Sequence, residues 1–154
     1  LVQSFEREPT MQISKKIGAV ALASAMLLST MPAFADMSMF KADLTAAQET
    51  PPTVSKGTGT VMITYDSATK TLSWKGSYDG LTGPATAAHF HGPAEMGKAA
   101  GVEVPVPNIK SPFEGSAVLT EMQAGDLMSG KLYFNVHTEA NKGGEVRGQV
   151  MPAK

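Results

Sequence analysis

The three histidines of this chain occur at two points of an alternating apolar and polar pattern, a placement that suits metal binding. His89 and His91 flank Phe90, and His137 ends the run Tyr-Phe-Asn-Val-His. On a β-strand, side chains at positions i and i+2 project from one face, so His89 and His91 should point together. His137 should face outward because Val136, the residue before it, belongs to the predicted core.

A metal site follows if the two histidine-bearing strands are neighbours. Three imidazoles would then converge on the outside of the fold. Neutral imidazole nitrogens suit copper and zinc, and three of them leave one coordination position open. We therefore predict a copper or zinc site formed by His89, His91 and His137. The alternative is three separate surface histidines with ordinary titration.

Two further groups of residues could contribute to such a site. Arg147 lies on the predicted outward face of the last strand, after a glycine-rich turn, and could guide anions or support the histidines from outside. The alternative is a surface arginine paired with Glu139 or Glu145, which would stabilise the fold little. Met37 and Met39 form a Met-x-Met pair that could supply two soft thioether ligands to copper. The alternative is that both lie in a frayed terminus.

Composition excludes several classes of function. The 154 residues hold 13 Lys and Arg against 14 Asp and Glu, so the net charge of −1 offers no basic surface for nucleic acid. The chain has no cysteine, which excludes disulfides, thiolate zinc sites, iron–sulfur clusters and a cysteine nucleophile. No Ser-His-Asp spacing, phosphate-binding glycine loop or paired-carboxylate motif stands out. We therefore expect a binding protein rather than an enzyme.

Period-two alternation of apolar residues recurs along the chain and indicates half-buried strands. The 15 glycines and 10 prolines fit short strands joined by tight turns. One stretch, residues 120–129, looks helical, with Thr120 as its N-cap and Gly125 and Gly130 limiting it. We predict an all-β domain, a Greek-key sandwich or barrel of about seven or eight antiparallel strands, with strands at residues 40–44, 57–66, 71–78, 85–91, 101–106 (an edge strand), 114–119, 131–137 and 145–151.

The beginning of the chain resembles a targeting segment rather than part of the folded domain. Residues 11–35 carry two lysines, a twelve-residue apolar run at 17–28 and an Ala-x-Ala cleavage motif, which together indicate a secretory signal peptide. Cleavage between Ala35 and Asp36 would leave a domain with no membrane span. We expect residues 1–10 to be an upstream extension outside the native protein. The predicted compartment is the periplasm, or the medium if the source has one membrane.

Several stretches of the chain are distinctive when taken together: Phe40 to Pro52, which contains Leu-Thr-Ala-Ala-Gln-Glu-Thr-Pro-Pro, Gly57-x-Gly59, Ala88 to Ala94, Leu132 to Thr138 and Gly144 to Gln149. They resemble the CHRD domain, a module named after chordin and also found alone in exported microbial proteins. The resemblance covers about residues 38–151 and assigns 36–154 to one CHRD-like domain. It implies an all-β, immunoglobulin-like or barrel fold and little about activity.

A second, weaker resemblance concerns the histidine-bearing strands. Copper/zinc superoxide dismutases carry His-x-His on the fourth strand of a Greek-key barrel, another copper ligand on the seventh and an anion-guiding arginine on the eighth. His89 and His91, His137 and Arg147 follow in that order on matching predicted strands. The chain has no counterpart of the metal-bridging histidine, the zinc-loop ligands or the disulfide cysteines. The resemblance thus implies a site of at most three imidazoles.

Three functions remain open from sequence. The first is an exported binding protein with a copper or zinc site at the three histidines. The second is a metal-free module that binds a protein or matrix partner in the cell envelope, as chordin's repeats suggest. The third is a redox protein of superoxide dismutase type.

Overall fold

The computed structural model describes residues 36–154. The predicted signal peptide, Ala35 and the upstream extension lie outside the described residues. Within the described range the elements are one helix, α1 (Glu121–Met128), a single 3-10 turn (Ala46–Gln48), and the nine strands β1 (Met37–Thr45), β2 (Thr58–Asp66), β3 (Thr71–Asp79), β4 (Ala85–His91), β5 (Val102–Pro105), β6 (Phe113–Val118), β7 (Tyr133–Thr138), β8 (Val146–Gln149) and β9 (Met151–Pro152).

All nine strands belong to one antiparallel sheet that curls into a nearly closed barrel. The strand order is β5-β4-β7-β8-β1-β2-β3-β6, and β9 also pairs with β1. The predicted all-β Greek-key fold is confirmed, and the proline-containing β5 is an edge strand as expected. The order places β4 next to β7, although 41 residues lie between them in the sequence. This pairing decides where the histidines meet.

The strands form because alternate side chains can be buried inside the barrel. In the central parts of β2 and β3, alternate inward residues are at most 6% exposed, while their neighbours face outward. The inward residues are Val61, Ile63, Tyr65, Leu72 and Trp74. Burying one such aliphatic or aromatic side chain contributes about 1.5–3 kcal/mol to folding. The rings of Trp74, Phe90 and Phe134 pack edge to face through the centre, with centroids 5.3 Å and 4.9 Å apart. The core is thus continuous from β3 across to β4 and β7.

Helix α1 is stabilised by a capping box at its N-terminus. The Thr120 hydroxyl accepts a hydrogen bond from the Gln123 backbone N–H, and the Gln123 side chain accepts one from the Thr120 N–H. Gly130 follows the helix with a φ of +69°, which favours glycine. The predicted N-cap is therefore confirmed. Gly125 lies inside the helix rather than ending it.

Two strand boundaries differ from the predictions. The first strand begins at Met37, so Met37 and Met39 belong to an ordered strand and not to a frayed terminus. The predicted last strand is divided into β8 and β9 at Val150, whose backbone N–H bonds to Leu132. The two differences have separate causes: β1 pairs with β2 from Met37 onward, and β9 leaves β8 and pairs with β1 instead.

Part of the outward face of β7 and β8 is covered by loops rather than open to water. Asn135, Arg147 and Gln149 point away from the core, yet they are only 2–5% exposed. Residues 46–53 and 92–101 cover them. Two backbone carbonyls of the second segment accept hydrogen bonds from the side chains of Arg147 and Gln149. Two side-chain oxygens of the first segment accept from the Arg147 side chain and from the Gln149 backbone N–H. The alternation predicted which way these residues point, but not that they are buried.

Candidate metal centre

The register of β4 against β7 brings the three histidines together. His91 lies opposite Tyr133, His89 lies opposite Asn135, and Ala87 lies opposite His137. His137 is therefore the diagonal neighbour of His89 on the same face of the sheet. Diagonal neighbours on adjacent strands are within reach of long or aromatic side chains. The predicted convergence of imidazoles from two separate strands is thus present.

The histidine cluster is compact. The ring centroids are 5.3 Å apart for His89 and His91, 5.0 Å for His89 and His137, and 6.0 Å for His91 and His137. His89 Nδ1 lies 3.1 Å from His137 Nε2. One nitrogen from each ring can be chosen so that all three lie within 4.8 Å of one another.

Two backbone carbonyls fix how two of these rings are protonated. Ala100 O lies 3.1 Å from His91 Nδ1, and Lys142 O lies 2.9 Å from His137 Nδ1. A carbonyl oxygen only accepts, so each Nδ1 must carry the proton and donate it. In a neutral ring this leaves Nε2 with a free lone pair. Histidines that bind metals commonly have their second ring nitrogen held in this way.

The His91 Nε2 atom is buried and has no hydrogen-bond partner among the described residues. An unsatisfied buried acceptor costs about 1–3 kcal/mol, so its presence needs an explanation. Burial also lowers the pKa of His91 below its ordinary value, and burial together with the charges of its two neighbours lowers that of His89. Both rings are therefore held neutral, which is the form that binds metals.

The distances fit a metal ion after a small adjustment. Zinc and similar ions bind imidazole nitrogen at about 2.0–2.1 Å, so two ligand atoms of one ion are at most about 4.1 Å apart. The 3.1 Å pair corresponds to an angle of about 100° at the metal. Ligands in a tetrahedral site lie about 3.3 Å apart. The widest pair, within 4.8 Å here, must therefore close by up to about 1.5 Å, which a change in side-chain torsions provides.

Tyr133 connects the cluster to Arg147. Its ring stacks on His91 with centroids 4.9 Å apart and planes within 3°. The Arg147 guanidinium carbon lies 3.4 Å from the centroid of the same ring. Since β7 runs between β4 and β8, His91 and Arg147 approach Tyr133 from opposite sides. The tyrosine hydroxyl also bonds to Ala100, whose carbonyl orients His91.

Arg147 is not the surface residue that either sequence interpretation assumed. It is 2% exposed, donates to Lys98 O at 2.8 Å and contacts the Thr50 hydroxyl at 3.4 Å. Within residues 36–154 it forms no salt bridge with Glu139 or Glu145. The surface pairing is therefore wrong, because the segments at 46–53 and 92–101 close over the arginine. Its action on anions stays a prediction.

Sequence reasoning missed the acidic residue beside Arg147. Glu49 is 6% exposed, and burial raises its pKa to about 7 although the Arg147 charge and bonds from Thr50 and Asn135 oppose that rise. It fits only because Gly144 has no side chain there: a Cβ at Gly144 would collide with the Glu49 carboxylate. The double glycine at 143–144 was the available signal, since consecutive glycines often mark close backbone approach.

Glu145 was also missed, because a glutamate at the end of a turn is usually solvated. It is fully buried and accepts five hydrogen bonds, from Ser55, from the backbone and hydroxyl of Thr82, from Thr138 and from Asn141. Burial alone would raise its pKa, but these donors together hold it at about 2. The carboxylate thus fixes the turn that carries the Lys142 carbonyl.

The fold and the site define a class: a barrel-like all-β domain that carries three clustered histidines on the outside of its sheet. Residues 40–150 match the family model of the CHRD domain, so the chain belongs to the CHRD-domain family. The match includes the three histidines and Arg147. No curated protein and no solved structure matches the chain. In the part of the chain that the structure describes, no helix is long and apolar enough to cross a membrane.

Proposed function

We propose that this protein is an exported binding protein that holds one copper or zinc ion through His89, His91 and His137. The observation that carries the proposal is the pair of backbone carbonyls at Ala100 and Lys142. They hold two imidazoles in the tautomer whose Nε2 carries a lone pair. The lone pair of His91 Nε2 has no partner among the described residues, and that of His137 Nε2 accepts from His89 Nδ1. Export rests on the signal-peptide pattern of residues 11–35.

The ligand set favours copper(II) over zinc where both are present. A given nitrogen site generally binds Cu²⁺ more tightly than Zn²⁺, following the Irving–Williams order. In the free protein, His137 Nε2 accepts from His89 Nδ1 because the His137 proton is already on Nδ1. A metal ion that bound both nitrogens would require the His89 proton to move from Nδ1 to Nε2, a change of tautomer that releases no net proton. At lower pH, however, protons compete with the metal for the imidazole lone pairs. Copper binding should therefore weaken as the pH falls.

A binding role is proposed rather than a catalytic one, because the CHRD domain is not a known enzyme family. The chain's own residues bind and orient the ion, and Tyr133 limits water access on the His91 side. Arg147 would support this arrangement by placing its positive charge against the side of the Tyr133 ring that faces away from His91.

Titration of purified protein with Cu(II) against a competing chelator tests the proposal. We expect one ion per chain, bound at least about 100-fold more weakly after His89→Ala, His91→Ala and His137→Ala are combined, since loss of supporting groups alone commonly costs 10- to 100-fold. Glu114→Gln, an exposed carboxylate change far from the cluster, is the control. Equal affinity of the triple variant and the wild type would contradict the proposal.

The metal-free interaction module is the second candidate, and the open sheet edges favour it. β5 and β6 end the strand order, so each has an edge with no partner strand in residues 36–154. Exposed edges can take an added strand from another protein. Capture of the same envelope protein with and without a chelator, combined with no copper binding, would support this candidate. Arg147-dependent dismutation by the copper-loaded protein would support the redox alternative.

A further inference from the structure

Three buried polar side chains line one cavity on the outer face of β8. Arg147, Gln149 and Glu49 are only 2%, 5% and 6% exposed, yet all three border a cavity of about 370 Å³ between β8 and the covering residues 46–53 and 92–101. Pockets that bind small molecules have volumes of about 300–1,000 Å³ and combine a few polar groups with apolar walls. The cavity therefore has the size and the buried polar groups of a small-ligand site.

The positive charge of Arg147 is buried without a carboxylate paired to it. Burial of a charge is costly unless it is paired, and within residues 36–154 this arginine forms no salt bridge. Its guanidinium donates to Lys98 O at 2.8 Å and makes two longer contacts, at 3.4 Å with Thr50 and at 3.5 Å with Gln149. A guanidinium has five N–H donors, so two of them make no contact here. An anion in the cavity would therefore meet both a charge and free donors.

Glu49 is the second group with unused hydrogen-bonding capacity. Its Oε1 is buried against Gly144 and has no hydrogen-bond partner among the described residues. Its Oε2 is not enclosed in this way, so this is the oxygen that a ligand in the cavity would meet.

The surroundings of Glu49 keep a proton on it near neutral pH. Burial raises its pKa to about 7, and Arg147 on β8 is the charged group that opposes this rise. The uncharged Asn135 faces it from β7, Gly144 brings no side chain, and residues 92–101 line the cavity only with uncharged residues. Near pH 7, about half of the Glu49 side chains therefore carry a proton that they can donate.

The charge balance and the mouth of the cavity select the class of ligand. A dianion such as sulfate would leave its second charge unpaired beside buried groups. A monocarboxylate has one charge and two acceptor oxygens, one for the Arg147 guanidinium and one for the protonated Glu49. The exposed residues at the mouth are apolar and suit a short hydrocarbon chain: Ala47, Pro52 and Met96.

We propose that this cavity binds a short-chain monocarboxylate, with its carboxylate against Arg147 and Glu49 and its hydrocarbon chain at the mouth. Tyr133 separates the cavity from the histidine cluster, because Arg147 and His91 contact opposite sides of its ring. Binding of the carboxylate therefore requires no metal ion at the histidines. It should require the proton on Glu49, since an ionised Glu49 would repel the ligand.

Titration of the metal-free protein with butyrate, followed by backbone amide NMR at pH 6, tests the proposal. We expect the amide signals of Gln48, Thr50 and Gly97 to shift together and saturate at one butyrate per chain. The neutral analogue 1-butanol and the dianion sulfate should bind at least about tenfold more weakly.

The pH dependence of butyrate affinity tests the role of Glu49. With a pKa of about 7, the protonated fraction of Glu49 falls about tenfold between pH 6 and pH 8, and the affinity should fall by the same factor. Glu49→Gln should bind butyrate with no such pH dependence, because its amide group donates at every pH.

A charge at the mouth gives a third readout with a matched control. Met96→Glu should weaken butyrate binding at least about threefold, the repulsion of two charges about 6 Å apart in water. Met122→Glu, the same change at an exposed methionine on α1, should change nothing. Equal affinities of these two variants, no saturable butyrate binding, pH-independent binding by the wild type, or 1-butanol binding as tight as that of butyrate would overturn the proposal.

Discussion

Replacement of Glu145 by glutamine should destabilise the domain strongly at neutral pH and only weakly in acid. The carboxylate joins four separated points of the chain through five hydrogen bonds, from Ser55, Thr82, Thr138 and Asn141. Every partner is a donor. A glutamine amide would place its own N–H₂ group against some of them and would carry no charge.

The magnitude follows from the pKa of Glu145. Hydrogen bonding overcomes burial and lowers it from 4.5 to about 2 in the folded protein. A shift of this size corresponds to about 3 kcal/mol of folding free energy. Because the folded pKa is the lower one, this stability is fully present above pH 4.5. It is lost as the pH falls toward the folded pKa of about 2.

Urea unfolding of the wild type and Glu145→Gln between pH 7 and pH 2.5 measures the difference directly. We expect the variant to be about 3 kcal/mol less stable at pH 7, and the gap to shrink through the acid range. Glu139→Gln, an exposed glutamate on the same turn, should show neither effect. A gap that stays constant with pH, or one below about 1 kcal/mol at pH 7, would refute the reasoning.

Three further changes should have measurable effects. Burial raises the pKa of Glu49 from 4.5 to about 7, so the folded protein should lose stability as the pH rises from 4.5 through 7. Relative to the wild type, Glu49→Gln should therefore become about 3 kcal/mol more stable between pH 4.5 and pH 8, as measured by denaturant unfolding. Equal differences at the two pH values would contradict this. Gly144→Ala should cost about 2–4 kcal/mol, because its φ is +127° and a Cβ there strikes Glu49, and thermal unfolding would detect it; an unchanged melting temperature would count against the packing described. Leu132→Ala, at a fully buried position, should cost about 2–5 kcal/mol with an unchanged urea m-value, and a loss under 1 kcal/mol would place Leu132 outside the tight core.

The sequence predicts the strands well, because each alternates a buried and an outward side chain. The clean alternation in β7 placed Phe134 and Val136 inside and His137 outside, as the structure has them. Pairing of β4 with β7 could not be derived from that pattern, since alternation says which face a residue takes but not which strand is its neighbour. The histidine cluster depended on this pairing.

The covered outer face could not be predicted for a related physical reason. A strand whose two faces are both buried should be apolar throughout its sequence. In β8, however, Arg147 and Gln149 are buried, because backbone carbonyls of distant loops accept their hydrogen bonds. Those contacts join residues 19 to 55 positions apart. Local periodicity contains no information about such partners, so Arg147 was misjudged as a surface residue.

Imidazole nitrogen NMR of the protein, before and after one equivalent of Zn(II), tests the central proposal most directly. The free protein should show His91 and His137 protonated on Nδ1, as the carbonyls of Ala100 and Lys142 require. Zinc should then shift Nε2 of both rings and one nitrogen of His89 together, saturating at one ion per chain. Rings protonated on Nε2 in the free protein, or nitrogen signals unmoved by zinc, would contradict the account.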